Sequence, residues 1–227
     1  ITFSINNTHY NSTKAPDFNF YSNYISYFFG SSESPGIEQG LIYFFLVSIS
    51  IKLGNLDFGL NNYEQIVSNG ILITNYFLYL IGLLGLYKLL KYKKFSTNNI
   101  LFTFTVLSFF PQTINMLLTM KPEIIAFSII PWSLYLIENY LEKDKTIYLY
   151  LALFPNLILL TTKGTIVATV GLIYLYLFIV NKKFLNNKKF YGFLIIASIF
   201  LFALLFENSY INGKNILEHS PQGYNYR

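Results

Sequence analysis

The sequence predicts an all-α fold: a polytopic transmembrane helical bundle with an extracytoplasmic first loop that carries an interfacial helix. Three observations predict it. Hydrophobic residues make up 53% of the 227-residue chain and charged residues only 12%, where a soluble domain carries about 25% charge. The apolar residues come as long blocks, not as the spaced stripe of a soluble helix or the alternation of a strand. The basic residues behind the net charge of +5 gather in short clusters between those blocks, which is the pattern of cytoplasmic loops. The charge therefore implies a membrane partner and gives no support to nucleic-acid binding.

Cysteine is absent and the two histidines, His9 and His219, lie near opposite ends, so neither a disulfide framework nor a zinc site is expected. The chain starts at Ile1 and stops at Arg227, both in polar stretches, and reads as an excerpt of a longer protein.

Residues 1–65 read as the extracytoplasmic loop. Their first part is rich in Asn, Ser and Tyr and is broken by Ala15-Pro16, Ser34-Pro35-Gly36 and Gly40, which leaves room for one short helix. Residues 41–53 are apolar but only about 20 Å long as a helix, against a hydrocarbon core of about 30 Å. Residues 66–90 are long enough to cross, and Lys88, Lys91, Lys93 and Lys94 close them, which places that end in the cytoplasm. Residues 100–120 then return outward, interrupted at Pro111-Gln112, and residues 124–141 come back to the charged turn Glu142-Lys143-Asp144-Lys145. Lys121-Pro122-Glu123 is thereby expected outside. Residues 148–160 and 166–180 form a hairpin around Thr161-Thr162-Lys163-Gly164-Thr165, and its far end meets Lys182, Lys183, Lys188 and Lys189. Residues 190–206 go outward and leave 207–227 as an external tail. The basic clusters agree on one side only if 41–53 does not cross, so that run is read as a helix lying in the outer interface; the alternative is a seventh span with the opening loop in the cytoplasm.

Signatures of soluble enzymes are missing: no Gly-rich phosphate loop, no His-Glu metal helix, no serine elbow. Chemistry must then rest on the charged residues at the outer edge. These are Asp17, Glu33 and Glu38 in the opening loop, Lys121 and Glu123 in the second outer turn, and Lys163 in the hairpin. Asn75, Gln112, Asn115 and Asn156 fall within or beside apolar runs, where polar side chains usually face other helices.

The order of these elements, with Ala15-Pro16-Asp17-Phe18-Asn19-Phe20-Tyr21 in the first loop, Glu38-Gln39-Gly40-Leu41-Ile42-Tyr43-Phe44 at the start of the short helix, the turn Lys121-Pro122-Glu123, and Leu160-Thr161-Thr162-Lys163-Gly164-Thr165 in the hairpin, resembles the GT-C fold polytopic glycosyltransferases of the dolichyl- or polyprenyl-phosphate-sugar and aminoarabinose-transferase-like type. The resemblance runs from about residue 15 to 206, through short motifs. It departs at Glu38 to Phe44, where the family has a His-Pro-Pro-Leu segment and this chain has neither the His nor the prolines.

The resemblance implies a polyprenyl-phosphate-linked sugar donor and a lipid, glycan or protein acceptor. Such a transfer needs a carboxyl group near the anomeric carbon and a cation near the leaving phosphate. Asp17 is the expected carboxylate, as general base or as a ligand of a divalent metal ion; otherwise it is a solvated loop residue. Glu38 and Glu123 are expected as further acids, or simply as favourable charge at helix N-termini. Lys163, Lys121 and Tyr21 are expected to bind the substrate or its lipid phosphate, unless the two lysines snorkel to the surface; Tyr21 also completes the first-loop motif. Two other readings stay open. A transporter or lipid flippase would place ionisable residues at mid-membrane and often show an internal repeat, whereas charges here sit at the edges. A polymerase or ligase of lipid-linked glycans usually carries its large loop later in the chain.

Overall fold

The computed structural model describes residues 18–30, 41–55, 63–160, 162 and 164–180, with residues 191 and 195. All the elements among the described residues are α-helices, and we number them in chain order: α1 Phe18–Phe28, α2 Ile42–Asn55, α3 Tyr63–Tyr92, α4 Thr97–Phe109, α5 Pro111–Leu118, α6 Ile124–Lys143, α7 Thr146–Leu160 and α8 Gly164–Val180. The expected all-α membrane fold is found. Helices α3 and α6 are each long and apolar enough to cross a membrane, and α4 with α5 makes a bent third candidate; the apolar stretches of α2, α7 and α8 are shorter. The expected run 190–206 and the tail 207–227 lie outside the described residues, apart from Tyr191 and Ile195.

At 30 residues, α3 is about 45 Å long and serves as the axis on which the rest packs. It can do so because its glycines let neighbours reach its backbone. A Cβ at Gly82 would stand 2.7 Å from the Phe127 ring and one at Gly85 2.6 Å from the Trp132 ring, so both rings of α6 seat directly on α3. Trp132 Nε1 then donates to the Ile81 carbonyl at 2.9 Å, and Phe127 stacks on Tyr79 with centroids 5.2 Å apart.

These contacts also set direction. Early residues of α6 (Phe127) meet Tyr79 and Gly82, and late ones (Tyr135, Glu138) meet Tyr92, so α3 and α6 run parallel. The bent α4–α5 pair is the return path between them. Along α8, Ile166 and Val170 cluster with Ala126 and Ile129 of α6, while Tyr176 donates to Glu138 at 2.9 Å; α8 therefore runs parallel to α6 as well, and α7 runs back between them. Inside that hairpin Ser133 donates to Asn156 at 2.7 Å, and the Asn156 amide donates to the Tyr174 hydroxyl at 3.1 Å.

The consequence is a molecule with two unlike ends. One end carries Lys88, Lys91, Lys93, Lys94, Lys143 and Lys145, with Lys93 paired to Glu138 at 2.7 Å. The other gathers α1, α2, the turn between α5 and α6, and the C-terminal end of α7, since Ile158 of α7 packs on the same cluster as Tyr21, Tyr43, Met120 and Ile124.

The expected single run 100–120 is two helices meeting at 61°. Pro111 has no N–H and disfavours helical geometry at the residue before it. Phe110 is accordingly extended, with φ −68° and ψ 125°, and Pro111 opens α5 at its first turn.

Candidate active site

The short helix α2 packs closely on α3. Tyr43 and Ser50 are seven residues apart on α2, about 10 Å of helix, yet they meet adjacent residues of α3: the Tyr43 hydroxyl donates to Asn75 Oδ1 at 2.9 Å and Ser50 Oγ accepts from Thr74 at 2.8 Å. Gly70 allows the close approach, because Ile51 occupies the place where a side chain would stand. Phe44 on the neighbouring face of α2 holds α1, with the Tyr24 ring stacked on it at 4.5 Å and the Tyr21 ring tilted against it at 5.5 Å.

Asn75 also holds the other side of this end. Its amide nitrogen lies 2.9, 3.2 and 2.8 Å from the carbonyl oxygens of Met116, Leu117 and Thr119. These are carbonyls at the C-terminal end of α5, where a helix has no acceptor-satisfying N–H of its own. Thr119 closes the helix by donating its hydroxyl to the Asn115 carbonyl at 2.7 Å, and the chain turns through Lys121 and Pro122 into α6.

Tyr43 is the point where these pieces converge. Its hydroxyl bonds Asn75 and the Lys121 backbone, and it lies within electrostatic reach of Glu123 and Tyr21. Burial pushes its hydroxyl well above the usual tyrosine range, against the opposing effect of the Lys121 backbone and Asn75, with the charges of Glu123 and Tyr21 adding to the rise. Tyr43 therefore stays a neutral donor at working pH.

Among the residues singled out from sequence, Tyr21, Lys121 and Glu123 are brought together here. Tyr21 is only 4% exposed and belongs to the core cluster with Tyr43 and Phe44, while Lys121 and Glu123 are half-buried. Glu123 stands at the N-cap of α6 without a side-chain hydrogen bond to the helix, so its position is not explained by capping alone. Asp17, Glu38 and Lys163 lie outside the described residues. Their sequence neighbours bracket the same end: Phe18 opens α1, Leu41 packs against the cluster around Tyr43, and Thr162 is buried with its hydroxyl on the Leu159 carbonyl. Among the described residues no three His, Asp or Glu side chains gather as a metal site, and the divalent ion considered for Asp17 concerns a residue beyond them.

Sequence reasoning did not single out Tyr43, one of 20 tyrosines. Asn75 carries a signal, an amide inside an apolar run, which points to a helix-facing packing residue; the structure gives it that role and adds the link to Tyr43.

The family model of the dolichyl-phosphate-mannose-protein mannosyltransferases matches residues 39–206, a stretch that includes Tyr43, Asn75, Lys121 and Glu123. Nothing among curated proteins or solved structures matches the chain.

Proposed function

The chain belongs to the dolichyl-phosphate-mannose-protein mannosyltransferase family, a membrane glycosyltransferase with a polyprenyl-phosphate sugar donor, and from that premise we propose that it moves the sugar to an acceptor hydroxyl or amine at the extracytoplasmic face. The observation that carries the placement is the convergence of Tyr21, Tyr43, Lys121 and Glu123 at the end of the bundle opposite the lysine clusters. Lysine-rich turns stay in the cytoplasm, so this end faces the outer headgroups.

In the proposed reaction the bond between the anomeric carbon and the phosphate oxygen breaks, the acceptor's oxygen or nitrogen bonds that carbon, and the acceptor proton passes to a carboxylate. Polyprenyl phosphate leaves with the bonding electrons. Asp17 is our choice for the carboxylate, as general base or as ligand of a divalent cation on the leaving phosphate. Glu123 is our choice for a second acid, and Glu38, in the sequence just before α2, for a further one. Lys121, on the turn pinned by Asn75 and Tyr43, and Lys163, in the α7–α8 turn, offer positive charge to the phosphate, where it stabilises charge developing on the leaving group. Tyr21, whose ring lies against Phe44 where α1 meets α2, is our further candidate for contact with the substrate or its phosphate.

The test is Asp17→Asn in the full chain, with transfer from a polyprenyl-phosphate sugar measured beside membrane insertion. Loss of transfer by about 100-fold or more, in line with removal of a general base, with normal insertion, is expected. Full activity would remove Asp17 from the mechanism.

A further inference from the structure

Gln112 and Asn115 are left over from the site described above. They sit three residues apart on α5, hence on one face, and both are exposed, whereas the buried residues Thr113 and Leu117 occupy the opposite face. Their surroundings are apolar: Phe109 is 75% and Phe110 54% exposed, and Ile114 40%. Two carboxamides on the outer face of a membrane helix are costly against hydrocarbon, where nothing replaces the hydrogen bonds of water. This face must look onto water or a polar ligand. Finally, α5 is rigidly tied to the candidate site through the Asn75 bonds to its last carbonyls and leads directly into Lys121.

We infer that Gln112 and Asn115 read the hydroxyl groups of the donor sugar while Lys121 faces its phosphate; this rests on the transferase reading above. The chemistry favours a sugar for the amides. A carboxamide is neutral and both donates and accepts, which matches a ring of hydroxyls and gives a phosphate no compensating charge. Among the described residues the Asn115 carboxamide makes a single long contact, accepting from Thr119 Oγ1 at 3.4 Å, and its amide hydrogens are not used by them.

The experiment measures equilibrium binding by the full chain in lipid nanodiscs of two probes, polyprenyl-phosphate mannose and polyprenyl phosphate without sugar. Wild type is expected to bind the sugar-bearing carrier more tightly. Gln112→Leu and Asn115→Leu should each weaken that carrier about 5-fold, and the pair about 10- to 50-fold, the range for losing one and two neutral hydrogen bonds, with binding of the sugarless carrier unchanged. Both positions are exposed, so the variants should keep the wild-type thermal midpoint. Equal weakening of both probes, or no weakening of either, overturns the inference and leaves the transferase reading standing. Wild type that binds neither probe overturns both.

Discussion

Asn75 uses both ends of its carboxamide to join three helices that the chain leaves far apart, α2 through Tyr43 and the end of α5 through three carbonyls. Replacing it with Ala leaves those carbonyls and the Tyr43 hydroxyl to find new partners in a dry setting. Polar contacts within membrane proteins are worth less than their number suggests, while an unsatisfied buried group costs about 1–3 kcal/mol. We therefore expect Asn75→Ala to lower stability by about 2 kcal/mol and to reduce transfer, because Lys121 and Glu123 stand on the turn it holds. Thermal unfolding in detergent beside a transfer assay checks this; an unchanged midpoint would mean the bonds are not made. Asn75 was legible as a polar residue in an apolar run. Its partner was not, since a tyrosine in so aromatic a chain carries no mark until α2 is seen to pack on α3.

At the scale of elements, the contact between α3 and α6 depends on two missing side chains. Gly85→Ala would drive a methyl group into the Trp132 ring, whose indole nitrogen holds the Ile81 carbonyl. Overpacking of this kind costs about 1–3 kcal/mol. Trp132 is the single tryptophan of the chain, so intrinsic fluorescence reports the displacement directly: a shifted emission maximum together with a lower thermal midpoint is expected. A spectrum identical to wild type would place the ring elsewhere. The helices themselves were legible, because length and hydropathy mark an α3 or an α6, and Pro111 marks the break between α4 and α5. The 61° angle of that break was not, since proline says where a helix stops and not where the next one points. The parallel course of α3 and α6 was legible only indirectly, as the even number of passages between two basic turns. Glycine at 82 and 85 gave no hint of which rings would lie on it.

At the scale of the whole molecule, the account rests on polarity of the bundle. Packing puts the ends of α3, α6 and α8 together on the lysine side through Tyr92, Glu138, Glu142 and Tyr176, and puts α1, α2 and the 119–123 turn together on the other. The membrane then supplies the assignment of sides through the lysines. Charge patterning made this axis readable before any contact was known, whereas the cluster of Tyr21, Tyr43 and Phe44 emerges only from tertiary packing. Because the chain has no cysteine, single-cysteine variants can be read without background. The decisive measurement is labelling of intact cells with a membrane-impermeant maleimide at Ala15→Cys, Glu123→Cys and Lys163→Cys, compared with Lys94→Cys and Asp144→Cys. The first three should react from outside, and the last two only after the cells are opened. Reaction of Ala15→Cys and Lys163→Cys from opposite sides would contradict the account, because Asp17 and Lys163 would then have no shared compartment in which to act on one sugar phosphate.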